Sequence, residues 1–372
     1  MRTTWQSGRR ESSVFGRAVR ACWLALIACG LAAAQALPGA ANRVQQIPPI
    51  RLGTSGINVN DICSAGTLGS LVIRSSPYYA FILSNNHVMA RENAARPGEY
   101  IIQRATRDTV PACSGTGVIR VAQLSLFRSL KFDGSDNLID AAIAGIIPGK
   151  VTPTGSILAI GPVSNITVLP ALGLAVKKSG RTTGLTRGSI TAVDTTMTVT
   201  YGNGLSAKFV HQMVITAAAG APIFCNAGDS GSLVVRDIAT RPNPVGLFFA
   251  GNAITGTCLA NPIRAVLGAF GVGFPIVAAA AADQTDKSAE PMPQVDQAEF
   301  ELVDAIKQRY EAELMRLPEA VGVGVGLADD GSKGMVIKLL LVRKTEEALN
   351  AAPLEIDGVA VEAEEVGAIS AM

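Results

Sequence analysis

Short runs of Val, Ile, Leu and Thr, each closed by Gly, Pro or polar turn residues, constrain this fold more than any other feature. They lie at 67–74, 79–83, 100–103, 117–126, 189–200, 209–216, 232–236 and 244–250. Each has the length of one strand, and short strands at regular spacing between turn signals predict a β-barrel or sandwich. Of the 372 residues 48% are apolar, 38 are Gly and only 17% are charged, which fits a Gly-rich folded β protein and argues against disorder. A formal charge of +2 is close to balance, so no nucleic-acid partner is expected.

Chemistry concentrates in Cys225-Asn-Ala-Gly-Asp-Ser-Gly-Ser-Leu-Val234. A serine held in a Gly-rich turn can present its hydroxyl outward while the N–H groups of Gly228 and Ser230 converge where an acyl-transfer oxyanion would sit. The same residues also describe an ordinary Asp-Ser-Gly turn between strands. Two histidines, His87 and His211, leave little choice of general base. His87 ends an apolar strand-like run at a polar turn, whereas His211 alternates with apolar neighbours and reads as a strand side chain. An imidazole base needs a carboxylate that fixes its tautomer and stabilises the imidazolium. Asp140, opening the apolar segment 140–144, is the candidate, with Asp136 as the fallback.

His87, Asp140 and Ser230 follow one another 53 and then 90 residues apart. This order resembles the chymotrypsin-like (trypsin-like) serine peptidases over residues 60–275. Gly228-Asp229-Ser230-Gly231-Ser232 matches their nucleophile motif closely. Leu83-Ser84-Asn85-Asn86-His87 is a divergent histidine turn, with Asn where Ala is usual and Val88 where animal members carry a disulfide cysteine. The resemblance implies a mainly β fold of two six-stranded antiparallel barrels with the site between them. It also implies a Ser230–His87–Asp140 triad, an oxyanion hole of Gly228 and Ser230, a protein or peptide substrate, and no metal or cofactor.

Lys177-Lys178-Ser179-Gly180-Arg181-Thr182-Thr183-Gly184 is similar to a segment of secreted bacterial members of the α-lytic and streptogrisin kind. In that branch an internal cation pairs with the Asp before the nucleophile, here Asp229, and no freshly cut N-terminus is needed. Lys178 falls at the cation's position, with Arg181 as the alternative. Lys is a point charge without the fork of Arg, so the exchange is not neutral.

By order, the resemblance places the primary pocket at 223–227 and 247–251, with Ile223, Phe249, Ala250 and Gly251 as candidate walls. These are apolar or small, which favours uncharged substrate side chains. One of Phe248 and Phe249 is expected to fill the core instead. Four cysteines lie beyond the leader, Cys63, Cys113, Cys225 and Cys258, and three pairings are open from sequence alone. The resemblance implies Cys225 with Cys258, closing a loop for about 3–4 kcal/mol, which leaves Cys63 with Cys113.

The N-terminal segment 1–36 reads as an export signal: arginines, an apolar run, then Ala34-Gln35-Ala36 as the cleavage site. Secretion or a periplasmic location follows. Cys29 in a lipoprotein-like box would instead carry a lipid, and a retained anchor is the third option. Residues 37–280 form the peptidase domain, 281–297 a charged, Pro-containing linker, and 298–372 a small α-β-β-α-β domain with the helical period Phe300, Val303, Ile306, Tyr310, Leu314. That unit is expected to regulate the peptidase intramolecularly, to dock a partner, or only to stabilise the fold. The function expected is a serine endopeptidase. The alternative is a noncatalytic binding protein on a peptidase scaffold, for which Asn85, Asn86 and Lys178 argue; an esterase is a subordinate possibility.

Overall fold

The computed structural model describes residues 39–221, 223–277, 296–329 and 334–372. The expected signal cleavage at Ala36, the box at Cys29 and most of the expected linker lie outside the described residues.

After a short helix α1 (Ala40–Arg43), the chain builds β1 (Thr54–Asn58), β2 (Gly66–Leu68), β3 (Ser70–Ser75) and β4 (Tyr78–Ser84), then the helical turn α2 (Asn86–Met89). β5 (Tyr100–Gln103), β6 (Ile119–Phe127), the two-residue β7 (Asp136–Asn137) and β8 (Ala142–Ile146) follow. Without β7, these strands form one sheet in the order β2-β1-β5-β6-β8-β4-β3. β2 and β3 are one extended segment bent at Gly69, so the order returns on itself and closes a six-stranded barrel. Leu68, Val72, Ile82, Ile102, Val121 and Ile143 are fully buried within it, each contributing about 1.5–3 kcal/mol.

The bend at Gly69 has a steric cause. A Cβ there would stand 1.9 Å from the carbonyl oxygen of Gly231, where the Ser230 loop crosses the barrel. Gly69→Ala is therefore expected to push that loop away and to destabilise the protein by about 1–3 kcal/mol, measured as a lower urea midpoint. An unchanged midpoint would contradict this close approach.

The second sheet holds β9 (Ala175–Gly180), β10 (Gly184–Thr200), β11 (Ser206–Ala217), β12 (Leu233–Arg236), β13 (Pro244–Asn252) and β14 (Thr257–Pro262). Their order β10-β9-β12-β13-β14-β11 is closed by direct β10–β11 pairing, giving the second six-stranded barrel. Both disulfides, Cys63–Cys113 and Cys225–Cys258, are formed, the latter tying the Ser230 loop to β14. The closing helix α3 (Ile263–Phe270) packs Ile263, Val266 and Phe270 inward.

The C-terminal unit has the expected element order: α4 (Gln297–Leu314), β15 (Ala320–Leu327), β16 (Met335–Leu341), α5 (Glu346–Ala351), then β17 (Glu355–Ile356), β18 (Val359–Glu365) and β19 (Ser370–Ala371). Its sheet is not separate, however. The 17-residue β10 outruns its partner β9, and β15 takes up the vacated edge, with Ala192 opposite Gly326 and Met197 opposite Gly322. β16 and β18 then extend the second barrel's sheet outward. Asp296 caps α4 by accepting from the N–H groups of Ala298 and Glu299. The helix is pinned to β10 by the buried Lys307, whose ammonium donates to the carboxylate and carbonyl of Asp194 at 2.5 and 2.6 Å.

Candidate active site

The β4 strand delivers His87 to the barrel rim by ending in α2, whose first residues wrap around a carboxylate. Asp140 is completely buried just ahead of β8, where an unpaired charge would be prohibitively costly. Its Oδ2 accepts from His87 Nδ1 at 2.5 Å and from the Tyr201 hydroxyl at 2.8 Å, while Oδ1 accepts from the Asn86 N–H at 2.6 Å. Asn85 Nδ2 donates to the Asp140 carbonyl at 2.7 Å, and the Asp140 N–H donates to Asn261 Oδ1 at 3.1 Å. The Asn85 side chain and the Asn86 main chain thus hold Asp140 in place, while the Asn86 side chain donates to Asn93 Oδ1 and the Arg128 carbonyl. Asp136, the fallback, is exposed and pairs with Lys208.

Burial of His87 pushes its pKa down, but the charge and hydrogen bond of Asp140 outweigh it, aided by the Met372 carbonyl and the more distant Glu92; the net shift is upward from 6.5. Burial next to the Asp140 charge raises the Tyr201 hydroxyl well above its usual 10.0, so Tyr201 stays a neutral donor. His87 Nε2 is buried and has no hydrogen-bond partner among the described residues, although the Met372 carbonyl lies near enough to the ring to favour its protonated form.

Ser230 is buried in the turn after Gly228, which sits at φ +94°. Its N–H donates to the Met372 carbonyl oxygen at 3.1 Å. The Met372 carbonyl therefore holds the Ser230 N–H and also lies near the His87 ring. The Ser230 hydroxyl donates to the Phe249 carbonyl at 2.9 Å. The Gly228 N–H donates to no described residue.

Asp229 anchors this turn from within. One carboxylate oxygen accepts from the N–H groups of Thr182 and Thr183 at 2.8 and 3.0 Å. The other accepts from the Thr183 hydroxyl at 2.7 Å, the Asn226 N–H at 3.0 Å and the Lys178 ammonium at 3.1 Å. Lys178 is fully buried, and burial outweighs the attraction of Asp229, so its pKa lies below the ordinary 10.5. Arg181, the alternative cation, does not touch Asp229: it forms a bidentate pair with Asp108 of the first barrel. Arg181 Nη1 still donates to the Thr182 hydroxyl, which donates to the Ala227 carbonyl.

The pocket expectations need correction at Phe249. Its ring is buried against Phe209, centroids 4.7 Å apart, and only its carbonyl faces the site; Phe248 is fully buried too, so both rings belong to the core. The main chains of Ala250 and Gly251 pair with Ala371 and Ser370. Ile223 is half-buried. His211 is exposed on β11 at φ +59° and pairs with Asp194, far in function from the triad. Tyr201 and Met372 are the site residues that sequence reasoning missed. A lone Tyr after a strand and the last residue of the sequence carry no motif, and both reach the site only once β10 and the C-terminal strand are folded.

Among known structures, Thermobifida fusca protease A matches at 20% identity over 60% of this chain and 97% of its own, with a TM-score of 0.39. Nocardiopsis protease matches at 18% over 61% and 99%, TM-score 0.41. The chymotrypsin of Cellulomonas bogoriensis matches at 19% over 61% and 99%, TM-score 0.39. The chain is similar to bacterial chymotrypsin-like serine proteases. The Nal1 C-terminal domain family matches residues 132–263, which span Asp140 and Ser230 but not His87. Comparison with curated protein sequences gave no match. At these identities the likeness concerns the scaffold, and the names of these relatives carry no chemistry to this chain.

Proposed function

We propose that the protein is a serine endopeptidase using Ser230 as nucleophile, His87 as general base and acid, and Asp140 as the group that orients His87. The observation that carries this reading is the 2.5 Å His87–Asp140 hydrogen bond, with the other ring nitrogen left open beside a carbonyl that the Ser230 N–H holds. Asp140 fixes the tautomer with the proton on Nδ1, so Nε2 can take a proton. Rotation of Ser230 away from the Phe249 carbonyl would bring its hydroxyl to Nε2. The oxygen then bonds to the substrate carbonyl carbon as its proton passes to His87, and the oxyanion forms at the Ser230 and Gly228 N–H groups. His87 returns that proton to the leaving amine as the C–N bond breaks. Water, deprotonated by the same imidazole, releases the acyl group from Ser230.

The buried Lys178–Asp229 pair supports a site that needs no N-terminal processing, since the loop's counter-charge is already in place. The two disulfides fit an oxidising compartment, and export to the periplasm or beyond is part of this proposal.

A noncatalytic peptide-binding protein on the same scaffold is the second reading, favoured by the Ser230 hydroxyl donating to Phe249 and not to His87. Labelling of the purified protein with a fluorophosphonate decides between them. We expect labelling of wild type and its loss, by at least about a thousandfold in rate, in both Ser230→Ala and His87→Ala. Absence of labelling in folded wild type, and in forms whose groove has been freed, would establish the binding reading.

A further inference from the structure

We propose that residues 370–372 occupy the acyl side of the peptide groove as the acyl part of a bound peptide would, with Met372 in the primary subsite. The groove would accordingly select peptides with a linear, uncharged residue at that position. The catalytic consequence rests on the serine-peptidase reading; the occupancy rests on hydrogen bonds alone.

β19 adds to the side of β13 that β12 leaves unpaired beyond Leu247, as an antiparallel strand with Ala371 opposite Ala250 and Ser370 opposite Gly251. Extended peptides are recognised in this way, the main chain giving affinity and alternate side chains giving selectivity. At the inner end the Met372 N–H donates to the Phe249 carbonyl at 3.2 Å and its carbonyl oxygen accepts from the Ser230 N–H at 3.1 Å. The Met372 carbonyl thus fills the place where an oxyanion would form at the Ser230 N–H. The Met372 side chain is half-buried against the apolar cluster that contains Phe224, Cys225 and Cys258.

The path into the groove is built, not incidental. The Val366 carbonyl accepts from the Thr255 hydroxyl at 2.7 Å, Ala368 from Asn252 Nδ2 at 3.0 Å, and Ile369 from the Thr200 N–H at 3.0 Å. Val366 and Ile369 are buried in the same cluster as Phe209 and Phe249. Gly367 turns between them at φ +68°, where a Cβ would stand 2.3 Å from Asn252 Nδ2. A ligand tethered in this way competes at an effective concentration of about millimolar or above. It would raise the apparent KM for a peptide in trans and leave kcat unchanged.

The test uses the full chain, a Met372→Asp variant and a chain ending at Ala371. The point change guards against misfolding of the shortened form. Two quantities are read: the rate of fluorophosphonate labelling with the KM and kcat of peptide hydrolysis, and the binding of the peptide Gly-Ala-Ile-Ser-Ala-Met by calorimetry, each form also carrying Ser230→Ala for the binding arm. We expect both altered forms to label at least about tenfold faster, with a lower KM for peptide, and to bind the peptide where the full chain does not. Equal labelling rates together with no peptide binding, or equal binding by all three forms, would overturn the occupancy while leaving the enzyme intact. Peptide binding confined to the altered forms, with no labelling in any, would uphold the occupancy and overturn the peptidase reading.

Discussion

Lys178→Met is expected to lower the folding free energy by about 3–5 kcal/mol and to abolish fluorophosphonate labelling of Ser230. The loss is large because the substitution does not remove a surface ion pair; it strands a carboxylate that is wholly inside the second barrel. Four other donors, the N–H groups of Thr182, Thr183 and Asn226 and the Thr183 hydroxyl, remain on Asp229. They offset part of the penalty, so the lower half of that range is the better expectation. Function should fall further than stability. Asp229 fixes the turn that aims the Ser230 N–H, and protonation or displacement of its carboxylate releases that turn. Urea denaturation and labelling on the same preparation separate the two effects. A variant with a wild-type denaturation midpoint would show that the hydrogen bonds alone hold Asp229, and that the cation is dispensable.

Much of this architecture was legible because its strands obey local rules. The runs at 100–103, 209–216 and 244–250 became β5, β11 and β13 with boundaries shifted by at most three residues. The helical period from Phe300 to Leu314 became α4. Strands β1, β9 and β14 were not anticipated as separate elements, whereas β8 was expected only as the apolar segment that Asp140 opens. Their residues include Gly, Ser, Asn and paired lysines whose strand state is imposed by neighbours, as at Val234 opposite Lys178. The C-terminal unit was legible as elements but not as a sheet extension, since nothing in 320–327 announces that β10 outruns its partner.

At the site the asymmetry is similar. His87, Asp140 and Ser230 stood out by residue type and spacing, and Lys178 by alignment with a resembled segment. Asn85 and Asn86, read from sequence as departures from a motif, both touch Asp140 in the fold, Asn85 through its side chain and Asn86 through its main-chain N–H. Tyr201 is silent in sequence for a physical reason: its hydroxyl reaches a carboxylate in another barrel, 61 residues away, and only closure of both barrels brings them together.

Asp140→Asn is expected to lower kcat by about ten-thousandfold, and it carries a second signature in the pH profile that a merely structural change would not produce. In wild type the net shift of His87 is upward from 6.5 because the Asp140 charge and hydrogen bond overcome the effect of burial. His87 must be neutral to accept a proton, so the acidic limb of kcat/KM should have its midpoint above 6.5. Removing the charge of Asp140 takes away the largest of the contributions that favour imidazolium and leaves burial, which opposes it. The midpoint should then move to lower pH even as the plateau falls. The plateau falls because an amide in this position can accept from the ring or donate to it, and the donating orientation puts the imidazole proton on Nε2, where it blocks transfer from Ser230. Tyr201 biases the choice: its hydroxyl donates to Oδ2, and beside an asparagine it favours the orientation that keeps an oxygen there. Adding Tyr201→Phe to Asp140→Asn should therefore cost further activity with little additional shift of the midpoint. If the limb of the single variant stays where it was in wild type, Asp140 does not set the basicity of His87, and the role proposed for it fails.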